Sequence, residues 1–179
     1  MITFRDLKAE DIEVRVQSVR ENGALLLLYK NARVDMNILD DTVGAQNWQR
    51  EHYECKGNLF CRVGINSFFA EPEREPRWLY KSDCGSESNS EPEKGEASDS
   101  FKRACVNWGI GRELYTAPVI FVPRGYINVK NGKCYDRFSV EKIAVKDKRI
   151  VGLAIQNDSR SCEKQSERRC FVWQNTQNR

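Results

Sequence analysis

Apolar and polar residues alternate through DIEVRVQSV, where Ile12, Val14 and Val16 share one face, and the ENG turn at 21–23 leads into the apolar run ALLLLY. This predicts a hairpin whose second strand is central. In ARVDMNILDDTVG the period changes: Val34, Ile38 and Leu39 fall at helical spacing, Val43 continues the stripe and Gly44 is a natural stop. A short helix from about Asn31 to Thr42 follows. The segment NWQREHYECKGNLFCRVGINSFF reads as two strands joined at Lys56-Gly57-Asn58, and PRWLYKSDCG supplies a third after the polar link EPEREP. Together they predict an antiparallel meander.

Serine and acidic residues from Ser86 to Glu93 then lead into a second helix, which ends at Trp108 with Gly109 as its left-handed cap. Ser90 with Glu93 fits a capping box, and Pro92 suits a first turn. Ala97, Phe101, Ala104, Cys105 and Trp108 recur at spacings of three and four, a single apolar stripe for the core. Lys94, Ser98 and Lys102 stand four apart and form a second stripe about a quarter turn away, with Arg103 on the opposite flank or at its edge. Periodicity alone leaves two readings of these cations, a solvated margin of a core helix or the lining of a groove.

Past the helix, ELYTAPVIFVP is predicted extended, NVKNGKCYDRF carries another NG turn, and SVEKIAVKDKRIVGLAIQND predicts two strands around Asp147-Lys148. SRSCEKQSERR has no apolar face and is predicted to be a mobile polar loop, within 158–169. CFVWQ at 170–174 resumes alternation as an edge strand. There is no internal repeat. The chain is thus expected to be one α+β domain over 1–179, with a meander packed on a long helix, an N-terminal hairpin and helix, and a β-rich extension from 119.

Composition fits a folded protein, with 40% hydrophobic and 31% charged residues and no apolar run long enough for a bilayer span. MITFRDLKAED lacks the pattern of a signal peptide, so the expected compartment is the cytoplasm. Residues 1–101 hold 13 Lys+Arg and 19 Asp+Glu, a balance of −6, whereas residues 102–179 hold 16 and 7, a balance of +9. Such asymmetry suits either an anionic partner, nucleic acid first, or head-to-tail contacts between copies.

Seven cysteines without a CxxC pair and a single histidine, His52, fall short of zinc patterns, so free thiols and no metal are expected. Cys162 and Cys170, flanking the polar loop, are the pair to test for redox behaviour. No nucleotide-binding or nucleophile motif is present; GIG at 109–111 lacks the third glycine of a dinucleotide fingerprint. Acids at Asp40-Asp41 and Glu71 to Glu75 could hold a nuclease metal, but they fit solvated loops better. No catalytic residue and no cofactor are expected.

The string KGEASDSFKRACVNWGIGRELY resembles the helix of the Rad52/Rad22-type single-strand annealing proteins and their phage and bacterial relatives, where Asp, a large apolar residue, Lys-Arg-Ala and an aromatic-Gly recur. Upstream, ARVDMNILDDTVGAQNWQREH resembles that family's Arg-Val helix followed by a Gly and a Trp opening the next strand. Both lie in the family's order, and the resemblance spans roughly residues 11–118. It implies a β-β-β-α core, no cofactor, assembly into homo-oligomeric rings, and annealing of complementary single-stranded DNA in recombination and repair. The family's groove-lining Lys-Arg pair falls on Lys102 and Arg103, and Ser98 takes the place of a hydroxyl facing the same groove. Arg33 and Trp48 occupy matching positions, in a structural or a DNA-contacting part. Val106 departs from the pattern where a further basic residue often stands.

Lys94 joins the candidate DNA-binding set from the helix stripe, and Lys56, Arg62 and Lys81 join it from the charge pattern of the strands. An alternative expectation is a non-enzymatic scaffold of the same fold that recruits a replication or recombination partner, through Cys170 to Gln174.

Overall fold

The computed structural model describes residues 2–71, 73–88, 91–160 and 165–175. Its elements, in chain order, are β1 (Glu13–Arg20), β2 (Gly23–Tyr29), α1 (Ala32–Val43), β3 (Trp48–Cys55), β4 (Asn58–Asn66), β5 (Trp78–Cys84) and α2 (Pro92–Trp108). There follow β6 (Ile120–Pro123), β7 (Val129–Lys130), β8 (Lys133–Cys134), β9 (Phe138–Lys146), β10 (Arg149–Asn157), α3 (Gln165–Arg168) and β11 (Arg169–Gln174). The protein is a mixed α+β chain with antiparallel strands throughout. Its contacts divide it into two compact units, one of residues 1–5 and 31–111, the other of residues 6–30 and 112–179. The line at 118/119 that the sequence suggested therefore runs inside the second unit, and the first hairpin belongs with the C-terminal strands.

In the first unit β3, β4 and β5 form the expected meander, in that order, with α2 packed across one face. Alternation decides which face. Cys61, Val63 and Ile65 of β4 are fully buried, and so are Phe101, Ala104 and Cys105 of α2, which lie against them. Lys56-Gly57 makes the β3–β4 turn with both residues at positive φ, 54° and 75°, the pattern of a tight hairpin. α1 begins where Asn31 accepts a hydrogen bond from the Arg33 amide and ends at Gly44, at φ 85°. It buries Val34, Ile38, Leu39 and Val43.

The ends of α2 follow the sequence in part. Gly109 is left-handed at φ 100°, and its N–H reaches the Cys105 and Val106 carbonyls. At the other end Glu91 is the N-cap and Pro92 the first helical residue, while the expected capping box rests on Ser90, which lies outside the described residues. The loop after β5 closes tightly on this helix. A Cβ built on Gly85 would stand 2.2 Å from the Glu96 carbonyl oxygen and 2.8 Å from the Ser100 nitrogen, both backbone atoms that cannot rotate away. Gly85→Ala is expected to cost about 1–3 kcal/mol by overpacking. Chemical denaturation checks this, and an unchanged midpoint would show that the loop simply moves off the helix.

In the second unit six strands run in the order β11-β10-β9-β1-β2-β6, so β2 is flanked on both sides as expected. β6 and β11, at the two ends of that order, also approach each other, which curls the sheet toward a barrel. Register shifts at Val16/Ser18, Ile150/Gly152 and Ala154/Ile155 supply the local bends this needs. The interior holds Leu26, Leu28, Ile120, Val122, Val140, Ile150, Leu153 and Ile155, all buried.

Two expectations change here. Arg112–Thr116 winds into a 3₁₀ segment instead of extending, with the Thr116 hydroxyl bonded to the Glu113 carbonyl, and only Ile120–Pro123 is strand. Gln165–Arg168 of the polar segment forms one helical turn leading into β11, an edge strand as expected; residues 161–164, Cys162 among them, lie outside the described residues. Cys170 is buried and its thiol is pushed up to about 12, chiefly by burial, so it is a poor thiolate.

Candidate nucleic-acid interface

Trp48, Arg50 and His52 occupy alternate positions of β3 and turn to the face that α2 covers. Phe101, wholly buried, is the hub. Its ring stacks on Trp48 at 6.1 Å between centroids, and the Arg50 guanidinium lies 4.8 Å from its centre on a cation–π contact. The Trp48 indole N–H in turn donates to Asp40 of α1 at 2.6 Å, which ties the helix to the strand. His52 donates from Nε2 to the Ala97 carbonyl at 3.1 Å, so its second ring nitrogen carries no proton in the neutral ring.

Between these elements opens a cleft of about 380 Å³, lined by Asn31, Ala32, Arg33 and Met36 of the α1 start, Arg50 and His52 of β3, and Lys94, Ala97 and Ser98 of α2. Three cations converge on it. Lys94 shares its charge with Glu91, 3.1 Å away and solvent-exposed, whereas Arg33 and Arg50 have no carboxylate partner among the described residues. The N-terminus of α1, capped by the Asn31 side chain on the Arg33 amide, brings the positive end of its dipole to the same mouth. An anion entering here would meet two guanidiniums, an ammonium, a hydroxyl and a helix N-terminus.

The sequence-derived candidates separate into three places. Arg33, Lys94 and Ser98 meet in the cleft. Lys102 stands one helical turn beyond Ser98 on the same stripe and pairs with Asp99 at 3.9 Å. Arg103 and Lys81 face the other flank of α2, toward β5. Arg103 pairs with Asp83 at 3.2 Å, and Lys81 donates to the Asn107 carbonyl at 2.8 Å while its ammonium lies 4.7 Å from the centre of the Trp108 ring. These two bind helix to sheet. Arg62 and Lys56 lie elsewhere: Arg62 points to the sheet face away from α2, paired with Glu51 and lying over Tyr80 and Tyr53, and Lys56 is in the β3–β4 turn.

Arg103→Ala is therefore expected to lower stability by up to about 1 kcal/mol, the range for a partly exposed ion pair. Thermal melts of the purified variant check this, and a melting temperature equal to wild type would show the pair to be idle. Trp108, expected on the core stripe, stands at its margin. It is half-buried at the helix end, and its indole N–H donates to the Val63 carbonyl at 3.0 Å, so it joins helix to sheet by a hydrogen bond as much as by packing.

Arg50 and His52 are the cleft residues that sequence reasoning missed. The available signal was parity: both share the alternation of Trp48, a large aromatic residue on the same strand. Charge totals pointed away from them. The unit that contains the cleft holds 11 Lys+Arg and 14 Asp+Glu, a balance of −3, so the cations here are a local concentration within an acidic unit.

Among the described residues no three His, Cys, Asp or Glu side chains come together as metal ligands, and no helix is long and apolar enough to cross a membrane. No protein-family model matches the chain, and neither a curated protein nor a solved structure is significantly similar to it.

Proposed function

We propose that this chain binds single-stranded DNA without base preference and promotes annealing of complementary strands, as a cofactor-free homo-oligomeric ring of the Rad52 type acting in the cytoplasm of a bacterial or phage-infected cell. The observation that carries this reading is the convergence of Arg33, Arg50, Lys94 and Ser98 on one cleft. Two of these cations lack a neutralising carboxylate among the described residues, and one of them is braced on an aromatic ring.

The chemistry needs no bond-making. Guanidinium groups fork onto phosphate oxygens, the counterions of the strand are released, and the backbone is held while the bases remain available for pairing. Lys102, one turn further along α2, would extend the track. Arg33 and Lys102 are the positions at which the resemblance and the cation track coincide. Arg103, by contrast, is engaged with β5, which favours a positioning part for it in this chain.

Fluorescence anisotropy with a labelled oligothymidylate, paired with an annealing assay on two complementary oligonucleotides, tests the reading. Binding that weakens as salt rises, together with annealing faster than the spontaneous rate, supports it. A folded protein that leaves both strands unbound at low salt removes it.

A further inference from the structure

The second unit carries 18 Lys+Arg against 12 Asp+Glu, a balance of +6, and the β9–β10 hairpin gathers part of that excess on one face. Register places Lys142 opposite Ala154, Ala144 opposite Gly152 and Lys146 opposite Arg149. β11 continues the first two rows with Val172 and Gln174. A register shift between Val140 and Lys142 resets the alternation: Ile143 and Val145 pair with Leu153 and Ile150, which are buried in the interior, so Lys142, Ala144 and Lys146 point outward, and all three are exposed. Arg149, beside them, is exposed as well.

None of Lys142, Lys146 and Arg149 forms an ion pair among the described residues, although Lys142 lies in the field of the neighbouring Glu141 carboxylate. The nearby acids are otherwise engaged or peripheral. Glu141 is bonded to Arg169, Asp6 pairs with Lys148 at 2.8 Å, and Asp147 is in the turn itself. Between the cations lie exposed Ala144, half-buried Gly152 and buried Ala154, with no side chain longer than a methyl group. Two lysines four positions apart on a strand stand about 13 Å from each other. The face is thus a shallow trough with positive charge at both ends.

Charge complementarity identifies the occupant as a polyanion, and the surface favours nucleic acid over an acidic protein. A protein partner needs a desolvated core of aromatic or large apolar anchors, and the one large apolar side chain here is Val172 at the rim. A sugar–phosphate backbone needs only spaced cations and room to approach. We propose that the β9–β10 face is a sequence-independent binding site for the backbone of a nucleic-acid strand, acting separately from the α1–α2 cleft.

The test uses the full chain with Lys142→Glu, Lys146→Glu and Arg149→Glu combined, titrated with labelled oligothymidylate over a range of salt. The expected result is at least about tenfold weaker binding at low salt and a log K against log salt slope shallower by about 2, since each lost phosphate contact on a single strand contributes about 0.7. A control reversing the exposed Lys130 and Lys133 in the same unit should change the slope less. If the triple variant matched wild type, or if the control matched the triple variant, the proposal would be overturned. So would loss of polyglutamate binding with oligonucleotide binding intact, because the face would then serve an acidic protein. If the charge reversal lowers the melting temperature, the triple glutamine variant measures the same slope. Should Arg33→Ala with Arg50→Ala bind as wild type while the triple variant does not, the cleft reading fails and this one stands.

Discussion

Alanine at both Arg33 and Arg50 is expected to weaken single-strand binding by about 100- to 1,000-fold at low salt and to make the salt slope shallower by about 1.4. The magnitude follows from the geometry. Hydrogen bonds to charged groups contribute about 1.5–3 kcal/mol net when formed, and each tenfold change in affinity corresponds to about 1.4 kcal/mol. Arg33 is solvent-exposed on the first turn of α1, so its share lies at the low end. Arg50 is held against Phe101 and loses less freedom on binding, so its share is the larger. The slope change is two contacts at about 0.7 each. Arg50→Lys separates charge from shape: an ammonium keeps the Coulomb attraction and loses the planar fork, so affinity should recover only in part. A double alanine variant that is folded and binds with the wild-type slope would exclude the cleft from DNA contact.

Phe101→Ala is expected to destabilise the first unit by about 3–5 kcal/mol, the range for emptying the site of a large buried aromatic ring. The ring is wholly buried, and its loss opens a cavity beneath the sheet. Trp48 loses its stacking partner and Arg50 its platform in the same change. Equilibrium denaturation should show the midpoint falling, and whatever fraction stays folded at low temperature should bind single strands more weakly as well. Phe101→Leu separates volume from aromaticity, since it restores most of the bulk but not the π face; stability should largely return while affinity returns less. An unchanged midpoint for Phe101→Ala would mean that α2 is held by other contacts.

The short hairpins and both main helices were legible because local rules govern them. Alternation marked β1, β3 and β9, the 3.6-residue stripe marked α1 and α2, and Gly44, Gly57 and Gly109 took the positive φ their turns required. The 3₁₀ segment at 112–116 was not legible, because distant residues hold it: the Leu7 amide donates to the Glu113 carboxylate and the Ile150 amide to the Thr116 hydroxyl. How deeply Trp108 is buried was not legible for a related reason. A helical stripe says which way a side chain points, but not how far the sheet beneath it extends.

The candidate cleft divides in the same way. Lys94, Ser98 and Lys102 were visible as a stripe because four-residue spacing is a property of one helix. Arg33, Arg50 and His52 come from α1 and β3, and nothing in their spacing along the chain shows that they share a mouth with that stripe. Likewise the charge asymmetry between the two halves of the sequence was real, yet the fold returns the first hairpin to the C-terminal strands and leaves the unit with α2 net acidic. Neighbours a few residues apart were enough to set most of the strands and helices, the αL stop of α2 and the apolar face of each element. Which cations converge on the cleft, and which, like Arg103 and Lys81, fasten helix to sheet, depends on packing between residues far apart in the chain, and no local pattern carries that information.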